Sequence, residues 1–270
     1  MKFNKTSKVA FAIVAVTLLC GATKPALFYG NTEEIRDSAS AATILQNTAK
    51  TYAAFSSYRD RGTTIIEFAG NPHTMTFKIL LARPTSYRVD WKSSKKHKKF
   101  NGVVWSTGNG DFLQKGTVSK RIKRINGRDM ALAAATGISG GVAATIPGIF
   151  FNSHWGNPLG SPNVYTRFTR QKDEGIRGVD CFVLFNHAKV KNQISFSITL
   201  WIGKKDHLVH QIRKTTIMLG MPKINGLDAA KRALLQNMIK QMKGQAVITT
   251  EIHEDIQVNK NFSKSDFIPN

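Results

Sequence analysis

The sequence is poor in cysteine and in acidic residues. Its 270 residues include two cysteines, and 17 aspartates and glutamates stand against 39 lysines and arginines, a formal net charge of +22. Cys20 lies in an N-terminal apolar run, so Cys181 is the only cysteine of the predicted mature chain, and an internal disulfide is excluded. The apolar run around Cys181 predicts a buried thiol rather than a nucleophile. We therefore expect the core alone to stabilise the fold.

Sequence signatures of catalysis and of metal binding are also scarce. There is no phosphate-binding loop and no pair of zinc cysteines, and the seven histidines do not cluster at metal-ligand spacing. Glu251, His253 and Asp255 alternate along one predicted strand and form at most a weak ligand set. We assign them to the solvated outer face, because Ile252 and Ile256 would take the inner one. The sequence predicts no metal and no cofactor.

The N-terminus has the layout of a secretory signal. Three lysines precede the apolar run VAFAIVAVTLLCGA, which is shorter than the ~20 residues of a membrane span. We predict a signal peptide over 1–22, cleavage after Ala22, and a single domain over 23–270 in the periplasm of a Gram-negative envelope. An uncleaved anchor is the alternative. A lipid-modified Cys20 is disfavoured, because the residue before it is leucine instead of a small residue.

The rest of the chain predicts a mixed α+β fold. An amphipathic helix capped by Asn31 or Thr32 is expected first. From Tyr58 onward the apolar period changes to two, and Gly, Asn, Pro or Ser separate the short segments, which predicts antiparallel strands. Helical or irregular insertions interrupt these strands near 125–160 and 222–244. Repeated helix-then-strand units are missing, so a parallel sheet is not expected.

Two predicted strands alternate clearly between apolar and polar residues. Their apolar positions, which we expect to share the inner face of the sheet, are Met75, Phe77, Ile79 and Leu81 in one strand and Ile194, Phe196, Ile198, Leu200 and Ile202 in the other. Such a face needs a covering layer, because a sheet with one apolar side is not stable in water.

Residues 131–151, ALAAATGISGGVAATIPGIFF, carry no charge. A membrane span is disfavoured, because alanine and glycine transfer weakly into hydrocarbon and Pro147 lies near the end. Ser139 completes a G-x-S-x-G pattern, with Asp173 and His187 downstream, but the strand that should precede a hydrolase serine is missing. We predict a lid of helix and loop on the inner face; a plain buried hairpin is the alternative.

A second covering element is expected over 226–243, where leucines and methionines form one helical stripe. Together, strand residues and the two covering segments would line an apolar hollow that binds a guest. The candidate lining residues are Phe77, Ile79, Leu81, Ile146, Ile149, Phe150, Phe151, Trp155, Phe196, Ile198, Leu200, Met238 and Met242.

Three segments carry a resemblance to a known family: GVDCFVLFNHA, ITLWIGKKDHLVHQIRKTTI and TEIHEDIQVNKNFSKSDFIP. They resemble the superfamily that includes the periplasmic outer-membrane lipoprotein carrier LolA, and most of all its predicted periplasmic members of unknown function, over most of residues 31–269. The resemblance implies a strongly curved antiparallel sheet, an unclosed half-barrel with helices on its concave face. In the carrier that hollow shelters lipoprotein acyl chains. The predicted mature chain is longer than the carrier, and the additional length lies near 125–160 and 220–244. The residues that lock the carrier's lid have no assigned counterparts in this sequence and are not carried over.

Basic residues are concentrated in two stretches. The basic residues that are candidates for contact with an anionic membrane surface are Lys95, Lys96, Lys98, Lys99, Arg121, Lys123 and Arg124. Anionic envelope lipid, or no specific partner, is favoured over nucleic acid, because the chain is predicted to be exported and its tryptophans are scattered over separate elements.

Taken together, these patterns predict a monomeric, non-enzymatic exported protein that binds a lipid or lipoprotein acyl chain. The alternative is a periplasmic sensor or protein-interaction module with the same fold and no lipid guest. A Ser139 hydrolase is the third hypothesis.

Overall fold

The structure is a computed structural model that describes residues 39–94, 101–116, 121–153, 156–160, 167–190, 194–219 and 244–269. Eleven strands of the described residues form one sheet in which every neighbouring pair is antiparallel. The strands are β1 (Ser57–Phe68), β2 (Asn71–Ala82), β3 (Ser86–Ser93), β4 (Gly102–Ser106), β5 (Phe112–Gly116), β6 (Lys123–Ile125), β7 (Thr169–Ile176), β8 (Val179–Val190), β9 (Ile194–Gly203), β10 (Val209–Met218) and β11 (Ala246–Val258).

The sheet is open, because β6 and β7 lie at its two ends and do not pair with each other. The spatial order is β6-β5-β4-β3-β2-β1-β11-β10-β9-β8-β7, so each half is a meander and the pairing of β1 with β11 joins the halves. The predicted α+β class, with a curved and unclosed antiparallel sheet, is confirmed.

Three α-helices among the described residues cover one side of the sheet, which we call the inner face. They are α1 (Ala41–Ala54), α2 (Arg128–Thr136) and α3 (Thr145–Phe150); a short 3₁₀ helix, Lys264–Phe267, follows β11. Tyr52 of α1 touches both halves of the sheet. Its carbonyl accepts from Nη2 of Arg83, just after β2, at 3.2 Å, and its hydroxyl accepts from the Val209 amide of β10 at 3.3 Å. The sheet therefore bends around this helix.

Helix α1 begins later than the sequence predicts. Ser40 has an extended backbone, and its hydroxyl accepts from the Thr43 amide at 3.1 Å, which makes it the N-cap. The predicted caps, Asn31 and Thr32, lie outside the described residues. The prediction of one helix continuous through this point was wrong, because Ser40 is extended and its side chain caps a free amide group of a helix that begins at Ala41.

The predicted alternation of β2 and β9 is confirmed, whereas the face predicted for β11 was wrong. Glu251 and His253 lie buried on the inner face, and Ile252 points to the opposite, outer face. The reason is a β-bulge between Glu254 and Gln257, where Asp255, with a φ of 51°, is an additional residue opposite β1. The additional residue shifts the alternation of side chains between the two faces by one position. Ile252 and Ile256, on opposite sides of the bulge, therefore cannot share a face.

Gly62 is required where β1 passes under Phe77. A methyl group at this position would overlap the carbonyl oxygen of Ile252 and lie 2.5 Å from Cζ of Phe77. We expect Gly62→Ala to lower the free energy of unfolding by about 3 kcal/mol, because the backbone of the neighbouring strand cannot yield. Urea denaturation measures the loss. Gly175→Ala in β7 is the matched control, since that position opens onto empty space; equal losses in the two variants would contradict the packing of Gly62.

No helix in the part of the chain that the structure describes is long and apolar enough to cross a membrane.

Candidate functional site

The uncharged stretch of residues 131–151 lies on the inner face of the sheet. It forms most of α2, a turn over 137–144, and α3. Most of these residues are buried, including Gly140 of the turn, whereas its neighbour Gly141 is partly buried. The segment packs into the same apolar core as β2 and β9. We call it the lid segment, and its movement is a prediction.

The structure brings most of the predicted lining residues into that one core. From the sheet it places Phe77, Ile79, Leu81, Ile198 and Leu200 there, and from the lid segment Ile146, Ile149, Phe150 and Phe151. Phe196 is partly buried and packs against the same core. Trp155, Met238 and Met242, together with the predicted second covering element over 226–243, lie outside the described residues.

The C-terminal end of the lid segment is held firmly. The rings of Phe150 and Phe151 meet edge to face with centroids 4.9 Å apart, and Phe151 packs against Tyr87 at 6.4 Å. Arg83 donates from Nη2 to the Phe150 carbonyl at 2.7 Å and lies 4.6 Å over the Phe150 ring. Burial, and to a smaller extent the charge of Arg128, lowers the pKa of Arg83. Burial also raises the pKa of the Tyr87 phenol.

A chain of buried polar side chains crosses the inner face beside the lid segment. The Asp60 carboxylate accepts from the Tyr58 hydroxyl at 2.7 Å and lies 2.7 Å from Nδ1 of His253. Nε2 of the same histidine lies 3.9 Å from Glu251, whose other oxygen pairs with Nζ of Lys214 at 2.8 Å. Burial and the charge of Asp60 raise the pKa of Tyr58. We call these five residues the polar chain.

The polar chain touches the lid segment at two points. Lys214 Nζ donates to the Thr145 hydroxyl at the first residue of α3. A methyl group on Gly141 would lie 2.7 Å from a Glu251 oxygen, so the glycine turn rests directly on the buried carboxylate. Both Gly140 and Gly141 have positive φ, which allows this close approach. The turn is therefore positioned by contacts with charged groups as well as by apolar packing.

Several atoms of this region lack hydrogen-bond partners among the described residues. They are Asp60 Oδ1, Glu251 Oε2, His253 Nε2 and the Thr64 hydroxyl. Buried polar atoms without partners are destabilising, so the region carries a cost that tight apolar packing alone would avoid. Sequence reasoning missed the polar chain. The only signal in the sequence was that Tyr58, Asp60 and Thr64 are separated by even numbers of residues, which places them on the same face of one strand.

The Ser139 hydroxyl serves the turn of the lid segment. It is buried, donates to the Thr136 carbonyl at 3.1 Å and accepts from the Ala143 amide at 3.2 Å. The two downstream residues of the hydrolase hypothesis are engaged elsewhere. Asp173 pairs with Arg170 and Lys204, and His187 contacts the Ser195 hydroxyl at 2.9 Å. The structure thus gives Ser139 a structural role as a link between α2 and α3.

Cys181 is buried, as predicted, but on the outer face. It lies in a small cluster with Val183 and Trp201, and the Trp201 indole donates to Glu174 at 2.7 Å. Burial raises the pKa of the Cys181 thiol to about 11. Among the described residues, no group of three or more histidines, cysteines and acids could hold a metal ion.

The basic residues predicted to contact a membrane are only partly described. Arg121, Lys123 and Arg124 are exposed at the β6 end of the sheet. Lys95, Lys96, Lys98 and Lys99 lie outside the described residues.

Comparison with solved structures finds chains that are similar to this one over most of its length at low sequence identity. A LolA superfamily protein from Nitrosomonas europaea is 10% identical over 86% of this chain and 99% of its own, with a TM-score of 0.34. A DUF1329 family protein from Desulfovibrio piger is 13% identical over 84% and 95%, with a TM-score of 0.36. LprF from Mycobacterium bovis is 10% identical over 85% and 96%, with a TM-score of 0.42. No protein-family model and no curated protein sequence matches the chain.

Proposed function

We propose that this protein is an exported, periplasmic, monomeric carrier that holds a lipid or lipoprotein acyl chain on the inner face of its curved sheet. The observation that carries the proposal is the lid segment. Its 21 uncharged residues, mostly small, occupy the place where an apolar guest would lie. A guest would enter as the lid segment withdraws from the sheet, and the two would alternate on the same surface.

The composition of the lid segment makes this exchange energetically feasible. Between residues 131 and 144 the side chains are mainly alanine and glycine, so little apolar area is exposed when this part moves. An acyl chain that takes its place contributes about 0.8 kcal/mol for each buried methylene. The phenylalanines at 150 and 151 contribute far more area; Arg83 holds Phe150, and Phe151 packs against Phe150 and Tyr87. We therefore expect α2 and the glycine turn to move while the C-terminal end of α3 stays in place.

Binding of a fluorescent fatty acid, and its displacement by an unlabelled one, tests the proposal. We expect Phe196→Ser to weaken binding by about tenfold, because Phe196 is a partly buried side chain of the inner face at the border of the core. Ile252→Ser is the matched control: this side chain is also partly buried but lies on the outer face. Equal affinities of the two variants, or no binding by the unaltered protein, would contradict the carrier function. Retention of a partner protein by a chain that binds no fatty acid would instead favour the interaction module.

A further inference from the structure

Exposed apolar side chains are few in the described part of the chain, and two of the three large ones lie close together in sequence. Ile122, immediately before β6, is 57% exposed, and Met130, in the first turn of α2, is 64% exposed. Helix α2 packs beside β5 and β6, so both side chains belong to the same end of the sheet. The third, Ile268, lies after the 3₁₀ helix near the C-terminus.

The same end of the sheet is strongly basic. Residues 121–130 hold four basic side chains and one acid, and three of the basic ones, Arg121, Lys123 and Arg124, are exposed. The acids nearby are already paired, Asp129 with Arg128 and Asp111 with Arg124. Exposed apolar side chains between exposed cations are the pattern by which a protein surface lies on a bilayer. The cations then meet lipid phosphates, and the apolar side chains enter the acyl boundary.

We propose that this end of the sheet, formed by residues 121–130, docks on an anionic lipid bilayer with Ile122 and Met130 inserted. Nucleic acid would meet the same cations, but a duplex backbone offers nothing to two exposed apolar side chains. The docking surface adjoins the lid segment directly, because α2 carries Met130 and continues into the uncharged stretch. Docking would therefore bring the lid segment, whose movement is part of the proposed function, to the bilayer. The proposal stands independently of the carrier function, since it rests on the exposed side chains of residues 121–130 and needs no guest on the inner face.

Co-sedimentation of the full chain with vesicles tests the docking surface without any fatty-acid readout. We expect binding to vesicles with about 30% phosphatidylglycerol, little binding to pure phosphatidylcholine, and weaker binding as salt rises. Each basic residue near an anionic surface strengthens binding by about fivefold, so Arg121→Glu/Lys123→Glu/Arg124→Glu should weaken it by on the order of 100-fold or more. Ile122→Ser/Met130→Ser should weaken it by on the order of tenfold.

Ile268→Ser is the matched control for the apolar pair, and Lys50→Glu, an exposed change on α1, is the control for charge. Both should bind vesicles as the unaltered chain does, and thermal melts should show that every variant folds. Equal binding to neutral and anionic vesicles would overturn the proposal. So would unchanged binding by Ile122→Ser/Met130→Ser. Binding to a DNA duplex that depends on the three cations and not on the apolar pair would identify a nucleic-acid surface and also overturn it.

Discussion

Oxidation of the Thr64→Cys/Gly140→Cys variant should abolish binding of a fluorescent fatty acid, and reduction should restore it. A methyl group at Gly140 would lie 2.9 Å from Cγ2 of Thr64. In a disulfide, the β carbon of one cysteine lies about 3 Å from the sulfur of the other, so the distance suits a bond. The flexible end of Met75, whose Cε lies 2.6 Å from the same methyl position, has to shift when the bond forms. The bond would fix the glycine turn of the lid segment to β1. If the guest and the lid segment alternate on the inner face, the fixed lid excludes the guest.

The same molecule serves as its own control in this experiment, because only the redox state changes. The single variants Thr64→Cys and Gly140→Cys, treated with the same oxidant, account for any reaction at Cys181. Loss of the Thr64 hydroxyl should cost little, since it has no hydrogen-bond partner within the described residues. Positive φ at position 140 disfavours any residue but glycine, so stability is compared between the oxidised and reduced forms. Equal fatty-acid affinity in both forms would show that the guest does not use this surface.

Lys214→Met should destabilise the protein by about 3 kcal/mol, because it leaves the Glu251 carboxylate buried without its cation. Glu251 is fully buried, and the imidazole of His253 lies 3.9 Å from its other carboxylate oxygen. Lys214 itself keeps some contact with solvent, which places the expected loss at the lower end for buried pairs. The substitution also removes the donor to the Thr145 hydroxyl of the lid segment. Urea denaturation measures the change in the free energy of unfolding.

Two further variants test whether the loss of stability in Lys214→Met comes from the unpaired Glu251 carboxylate. Lys214→Met/Glu251→Leu removes the stranded charge together with its partner, so its stability should return to within about 1 kcal/mol of the unaltered protein. Arg61→Met breaks the exposed pair of Arg61 with Asp255 and should cost about 0.5 kcal/mol or less, because solvent screens that pair. A loss for Lys214→Met no larger than the loss for Arg61→Met would mean that Glu251 is solvated.

The single Lys214→Met substitution should also affect the lid segment. The substitution removes one of the two described contacts between the polar chain and that segment. Relative to the unaltered protein, we therefore expect hydrogen exchange to accelerate more at the amides of 137–145 than at those of β2. Hydrogen exchange resolved by mass spectrometry distinguishes this local effect from global destabilisation, which would accelerate both.

The amino-acid sequence by itself determined the class of the fold and the inner face of the regular strands. In β2 and β9 an apolar residue stands at every second position, and a two-residue period leaves one choice of face. It also determined that residues 131–151 cover this face, because an uncharged stretch too weakly apolar for a membrane has to be buried in protein.

Only the tertiary structure decided the face of β11 and the existence of the polar chain. One additional residue at Asp255 exchanges the faces on which the preceding side chains of β11 lie. The pattern of apolar residues in the sequence does not reveal such a bulge. Asp60, Lys214 and Glu251 come from three strands distant in sequence, so their meeting depends on the pairing of β1 with β11 and of β11 with β10. Local patterns report which side of a strand is apolar. They cannot report which charges pairing across the sheet will bring together, because that depends on register.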